Sequence, residues 1–269
     1  QYPVAAKKGR AYAGFFRAGT HDVVENKRCL ILPEDTDRVK DLVIDYVNRF
    51  RIPAYDEAAH KGLLRHIYVR QGRAGLHLTV VVRADKLPRE DLLVEICRKA
   101  VPALCGIVVN VNPDPGNRVL GLSCRTLWGD GRLEDDLMGN TFRLSPLSFY
   151  QVNHGQTENL YDCAASWAAA DGNTDALDLY CGVGTITLTL AGRCKSVVGV
   201  EIVPAAIEDA KENAARNGIE NARFLCADAG QAAQKLADVG FRPQVIVVDP
   251  PRKGLDEAAV KALCDMAPQ

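Results

Sequence analysis

The sequence predicts an α/β protein in two parts: a small α+β domain over residues 1–144, then a Rossmann-like, doubly wound parallel sheet over residues 145–269. Three observations carry this reading. A glycine-rich turn, Cys181-Gly182-Val183-Gly184, joins an apolar strand to a helix-like segment. Three further apolar segments follow, ending at Glu201, Asp228 and Asp249, as strands of such a sheet deliver polar groups to one rim. Upstream, apolar residues at helical spacing interleave with strand-like runs, which is the α+β pattern.

In the first part, Val4–Val24 alternates short apolar runs with glycines and predicts hairpin material. Residues Glu34–Ile52 place Val39, Leu42, Val43, Tyr46, Val47 and Phe50 at helical spacing, so an amphipathic helix is expected. Leu63–Arg70 and Leu76–Arg83 read as strands around a Gln71-Gly72-Arg73-Ala74-Gly75 turn. Pro88–Val101 reads as a second helix whose opening acids, Glu90 and Asp91, complement the helix dipole. Gly106–Asn112 is a further strand, Asn112–Gly116 a loop, Trp128–Gly131 a turn, and Leu133–Phe142 returns to the body of the domain.

The boundary is expected near Ser145-Pro146, with Phe149-Tyr150-Gln151-Val152-Asn153 opening the second part and a helix over Gln156–Ala169. Strands follow at Asp175–Leu179, Ser196–Glu201, Ala222–Asp228 and Gln244–Asp249, and Ile186–Ala191 is helix-like. Pro204 suits a first helical turn and Gly218 stops the helix that it begins.

Composition limits the function classes. No apolar run approaches the roughly 18 residues that a membrane span needs, and no signal-peptide pattern opens the chain, so a cytoplasmic protein without membrane partners is expected. Nine cysteines are scattered without a C-x-x-C pair, which excludes a zinc ribbon or disulfide scaffold and predicts reduced, mostly buried thiols and no metal. Residues 1–140 hold 22 Lys and Arg against 18 Asp and Glu, whereas residues 141–269 hold 11 against 16. An anionic partner would therefore prefer the first part, where Arg65, Arg70, Arg73 and Arg83 could track phosphates or simply form a solvated stripe. His66 and His154 show no partner pattern and are expected as surface or hydrogen-bonded residues. Because the chain opens on Gln1 and closes on what looks like a helix end, it is expected to be a fragment of a monomeric protein.

Chemistry is expected at the strand ends. Gly182 and Gly184 let a ligand approach the backbone, and free N–H groups at the following helix start favour an electronegative partner. Glu201 lies where an acid grips ribose hydroxyls, 17 residues after Gly184. A nicotinamide enzyme would want G-x-G-x-x-G, and Thr187 stands at the third glycine. The adenosylmethionine-dependent, class I methyltransferase version of the fold survives. Asp249-Pro250-Pro251-Arg252 lacks the aromatic residue of amino-group methyltransferases, so carbon methylation is favoured. Methylation of an amino group of nucleic acid or protein, and a non-catalytic RNA-binding module, stay open as alternatives.

Taken together, Cys29 in its Lys-Arg-Cys-Leu-Ile context, Gly62-Leu-Leu-Arg65-His66, Phe149-x-Gln151-x-Asn153, Asp178-Leu-Tyr-Cys-Gly-Val-Gly184, Val198-Gly-Val-Glu201 and Asp249-Pro-Pro-Arg252-Lys-Gly254 resemble the RNA uracil-5-methyltransferases. The likeness spans nearly the whole chain and is closest to the ribosomal RNA branch. It implies 5-methyluridine formation in RNA, most closely 23S ribosomal RNA, with S-adenosyl-L-methionine as cofactor and S-adenosyl-L-homocysteine as product. It further implies cofactor contacts from Gln151, Tyr180, Gly182, Gly184, Thr185, Glu201, Asp228 and Asp249. Catalytic-pocket roles fall to Asp249 and Phe149, the latter packing on a flipped-out uracil. Members add a cysteine thiolate to carbon 6 of uracil so that carbon 5 can take the methyl group. The resemblance places that cysteine, in a Ser-Cys-Asn-Pro segment, and the deprotonating base beyond residue 269. Cys29 is implied as an iron–sulfur ligand only in a longer protein, because such a cluster needs about four ligands.

Overall fold

The computed structural model describes residues 1–168 and 170–268. It forms two compact units, Gln1–Glu134 with Ser145–Leu147, and Asp135–Leu144 with Ser148–Gln269.

The first unit opens with β1 (Tyr2–Lys7) and β2 (Arg10–Phe16), joined by Lys8 and Gly9 at φ 51° and 78°. Two successive left-handed residues make the tight turn whose twist matches a hairpin. After β3 (Val23–Glu25), α1 (Glu34–Arg49) carries Glu34, Asp35 and Asp37 in its first turn. It ends before the expected Ile52, because Arg51 leaves the helix at φ 52°. The strands β4 (Leu64–Gly72) and β5 (Gly75–Val82), α2 (Glu90–Ala100), β6 (Leu104–Val111) and β7 (Ser123–Gly129) complete the unit. The sheet order is β3-β2-β1-β4-β5-β6-β7, and only β5 and β6 pair in parallel, through the α2 crossover. Val39, Val43, Tyr46 and Val47 of α1 and Leu93 and Cys97 of α2 close the core with Ile67, Leu78, Val80 and Ile107 of the sheet.

Several expectations for this unit change. Arg65 is 2% exposed, its guanidinium donating to the Asn112, Asp114 and Gly116 carbonyls and stacking 4.4 Å from the Tyr55 ring centroid, so it cannot track phosphates. His66 is neither a surface nor a hydrogen-bonded histidine: it is buried, both ring nitrogens lack partners, and burial lowers its pKa to about 4. Only Cys97, Cys181 and Cys194 of the nine free thiols are buried; the expectation of mostly buried cysteines fails because Cys124, Cys226 and Cys264 lie on exposed faces of edge elements. Trp128 and Gly129 belong to strand β7, so the turn expected over Trp128–Gly131 falls instead at residues 130–132, before the next strand starts at Leu133.

The second unit is entered at Asp135, within the first strand of the hairpin β8 (Leu133–Leu137) and β9 (Asn140–Leu144), turned by Met138 and Gly139 at φ 52° and 78°. Next come α3 (His154–Trp167), β10 (Asp175–Leu179), α4 (Thr185–Ala191), β11 (Ser196–Glu201) and α5 (Pro204–Arg216). Then follow β12 (Ala222–Cys226), α6 (Ala229–Asp238), β13 (Val245–Val248) and α7 (Glu257–Met266). Asn153 caps α3 by accepting from Gln156 N, and Ala169, expected as the last residue of that helix, lies outside the described residues.

One boundary near Ser145 was expected, and the chain instead passes between units at three points. The reason is local: Thr141 N donates to Asn217 Oδ1 and Arg143 N to Asn213 Oδ1, which fastens β9 to α5 of the second unit.

Parallel strands in the order β12-β11-β10-β13 form the main sheet of this unit. The chain winds outward from β10 to β12, then returns to place β13 on the other side. That reversal opens a crevice at the carboxyl ends of β10 and β13, where doubly wound sheets bind ligands. Leu177, Leu179, Val198 and Val200 pack with α6 and α7, while Ala176, Leu190 and Val197 form a second cluster with Ala165 of α3.

Candidate active site

At the reversal the backbone leaves β10 through Tyr180 at φ 69°, Gly182 at φ 54° and Gly184 at φ 87°. Only glycine adopts this region freely; in Tyr180 it costs roughly 1–2 kcal/mol. The loop is held by Cys181 N donating to Val200 O at 2.9 Å and Gly184 N to Cys181 O at 2.9 Å. A Cβ on Gly184 would lie 3.2 Å from the Phe224 ring and 3.3 Å from Ala210 Cβ, whereas one on Gly182 would meet nothing within 4 Å. Gly184 is therefore needed inward, for packing, and Gly182 leaves the outer face open. The following helix, α4, is only 7 residues long, so its dipole offers little to an anion.

Phe149, Gln151, Tyr161, Tyr180, Gly182, Thr185 and Asp249 line one pocket of about 40 Å³, room for roughly one water-sized group. Six of these residues were predicted; Tyr161 was not. It comes from α3, and its hydroxyl lies 3.0 Å from Thr185 Oγ1. Phe149 is 74% exposed, an aromatic face left in solvent at the mouth. Asp249 is exposed and makes no side-chain hydrogen bond to a described residue.

Glu201 stands at the end of β11 and does not line that pocket. Its Oε2 accepts from Gly182 N at 3.3 Å and its Oε1 from Val203 N at 2.9 Å, which ties the glycine loop to the neighbouring strand end. Each oxygen retains a lone pair for a ligand hydroxyl. Asp228, beyond β12, accepts from Gln231 N at 3.2 Å as the cap of α6, and its charge acts on the Tyr180 hydroxyl. The site is thus a row along the strand ends, with the small pocket at one end and Glu201 and Asp228 beyond it.

Asp178 was not singled out by sequence reasoning, yet it is the most perturbed acid here. It is fully buried on β10; Thr187 Oγ1 donates to its Oδ2 at 2.6 Å and its Oδ1 has no partner. Burial, opposed by the Thr187 bond and helped by the charges of Asp249 and Glu201, raises its pKa to about 7. The available signal was a carboxylate inside an apolar, central parallel strand, where charge is normally excluded. Asn213 of α5 was also missed; its Nδ2 donates to Val183 O at 3.3 Å and supports the loop from behind.

None of the thiols in this unit is primed for attack at the pocket. Cys181 lines it but is buried among carboxylates, which pushes its thiol far up. Cys226 is exposed at the end of β12 and Cys264 on α7. Among the described residues no cluster of three or more His, Cys, Asp or Glu could hold a metal, and no helix is long and apolar enough to cross a membrane.

Comparison with known proteins agrees with this architecture. A family model described as a methyltransferase domain matches residues 170–258. A Halalkalibacterium halodurans protein named as an RNA methyltransferase is 41% identical over 270 residues, covering 100% of this chain and 59% of its own length. One of the same name from Clostridium tetani is 38% identical over 271 residues with the same coverage. The chain thus spans about three fifths of the length of these relatives. Among solved structures, the Pyrococcus abyssi tRNA (uracil-54, C5)-methyltransferase in complex with S-adenosyl-L-homocysteine superposes with a TM-score of 0.78. It is 24% identical, and the match covers 98% of this chain and 62% of that one, a likeness of fold. Along its whole length, then, the chain is kin to proteins named RNA methyltransferases, and its second unit carries a methyltransferase domain of the class I fold.

Proposed function

We propose that the chain is the central and cofactor-binding part of an adenosylmethionine-dependent RNA methyltransferase that modifies carbon 5 of a uridine, with ribosomal RNA as substrate and a monomer in the cytoplasm as the working form. The observation that carries this reading is the convergence of Phe149, Gln151, Tyr180, Gly182, Thr185 and Asp249 on one pocket at the sheet's reversal point, in a chain whose relatives are named RNA methyltransferases.

The residues fit the cofactor. Glu201 has lone pairs for two ribose hydroxyls, Asp228 can accept from an adenine amino group, and the open outer face of Gly182 admits the methionine part. Asp178, whose Oδ1 has no partner, stands two residues before Tyr180 on the same strand end. The pocket itself admits only a small group, so the nucleoside would lie along the strand ends. When bound, adenosylmethionine supplies an electrophilic methyl group on a sulfonium sulfur. Phe149 offers an exposed face for a base taken out of its stack.

The cysteine that adds to carbon 6 and the base that removes the carbon 5 proton lie, in this reading, outside residues 1–269. Supporting this, Cys181 is held as a neutral thiol, and the relatives are longer than the span matched here. Two measurements test the proposal. Calorimetry of the chain should show adenosylmethionine binding, and mass mapping of RNA treated with the protein at its relatives' length should find the new methyl group on carbon 5 of a uridine. A methyl group on an exocyclic nitrogen would overturn the assignment, and so would turnover by residues 1–269 alone.

A further inference from the structure

Resting on the cofactor reading above, we propose that Asp178 makes cofactor binding proton-linked: its carboxyl holds a proton in the ligand-free pocket and releases it when a sulfonium cation is seated there.

The argument begins with an imbalance. Asp178 is fully buried, one oxygen satisfied by Thr187 at 2.6 Å and the other by nothing. A buried carboxylate with an empty oxygen and no cation is strongly disfavoured in its ionised form, and taking a proton relieves that. The groups that act on it from the surrounding elements are anionic or neutral: Asp249 after β13, Glu201 on β11, Thr187 on α4, Cys181 in the loop and Tyr161 on α3. Two carboxylates nearby disfavour a third negative charge, consistent with a proton affinity raised to near neutrality.

A positively charged ligand reverses the balance. Asp178 lies two residues before Tyr180, which lines the pocket together with Cys181, Tyr161 and Asp249. A cation in that pocket favours the ionised carboxyl, so binding and deprotonation reinforce each other. The proton leaves to solvent and no covalent bond other than O–H changes. The demethylated product has a neutral sulfur and would drive the release less. The site would thereby hold the charged cofactor more tightly than the spent one through a residue that need not touch either.

The sign follows by linkage. The ligand-free form binds the extra proton, so affinity for adenosylmethionine rises with pH, by up to about tenfold between pH 6 and pH 8, and levels off above. Titration calorimetry of the chain at pH 7, in buffers of different ionisation enthalpy, should report release of roughly half a proton per adenosylmethionine, and less for S-adenosylhomocysteine. Asp178→Asn keeps the shape and should abolish both the release and the pH dependence. Thr187→Ala removes the hydroxyl that donates to the carboxylate and leaves the Thr187 backbone N–H in place; it should shift the midpoint upward, with the release persisting, and it serves if the first variant misfolds. Equal proton release by wild type and Asp178→Asn overturns the inference, as does tight binding of adenosylmethionine with none. Absence of any binding would instead overturn the cofactor reading on which it rests.

Discussion

Glu201 shows how one side chain can serve structure and ligand at once. Its carboxylate accepts from Gly182 N and Val203 N, so removing it loosens the glycine loop as well as deleting the acceptor for ribose. A charged hydrogen bond contributes about 1.5–3 kcal/mol, so Glu201→Ala should weaken adenosylmethionine binding more than tenfold in calorimetry. Unchanged affinity would remove Glu201 from the site. The thiols offer a second residue-scale test, because reactivity follows thiolate character and access. Burial raises the pKa of Cys97, Cys105, Cys181 and Cys194, and also of Cys124 although that residue is exposed, whereas Cys226 is exposed on the edge strand β12 and Cys264 on α7. Brief alkylation of the native chain followed by peptide mass analysis should label Cys226 and Cys264 first. Early labelling of Cys181 would reopen it as a nucleophile.

At the scale of elements, the glycine loop depends on α5 as much as on its own sequence. Asn213 is fully buried, and it accepts from Arg143 N of β9 while donating to Val183 O in the loop. Asn213→Ala would leave a buried N–H and C=O unpaired, a loss of about 1–3 kcal/mol; urea unfolding should show it, together with weaker cofactor binding. Stability equal to wild type would mean the loop holds itself. This support was invisible in the sequence, because Asn213 sits among polar residues of a solvent-facing helix pattern. The strands β10 and β11 were legible, since parallel strands buried on both faces read as continuous apolar runs, and β12 and β13 carry similar apolar runs although they are only partly buried. Edge elements were not: β7 mixes Arg125 and Thr126 with Trp128, and β8 is rich in acids. Helix α6 went unread although Asp228 and Gln231 stand at capping-box spacing, so the capping role of Asp228 was available beside its expected ligand role. Arg65 and His66 were misplaced because burial of a polar residue leaves no local mark when its partners, such as Asn112 and Asp114, are distant in sequence.

For the molecule as a whole, the two units are built with opposite responses to pH. In the first unit His66 and His77 are buried and neutral, with pKa values lowered to about 4. The unfolded chain protonates such residues near pH 6.5, so below that value it binds more protons than the folded form and stability falls as pH drops toward 4. Each histidine contributes on the order of 3 kcal/mol to this loss. In the same unit Asp37 and Asp85 have lowered pKa values, from hydrogen bonds to Cys29 N and Lys40 and to Arg125 respectively, and add to acid sensitivity once they protonate. The second unit contains Asp178, whose folded pKa near 7 exceeds the unfolded value. Between about pH 4 and 7 the folded form there holds the extra proton, so this group favours the fold in acid and its contribution is lost as pH rises through 7. Hydrogen exchange read by mass spectrometry should therefore show amides of β4, β5 and β6 losing protection as pH is lowered from 7 to 5, while those of β10 and β11 do not weaken in step. Correcting each amide for its intrinsic exchange rate isolates the effect. Parallel loss in both units would mean that the response does not come from the buried histidines, or that the units unfold as one; His77→Gln, which removes one titrating group without adding charge, separates these by flattening the response only in the second case.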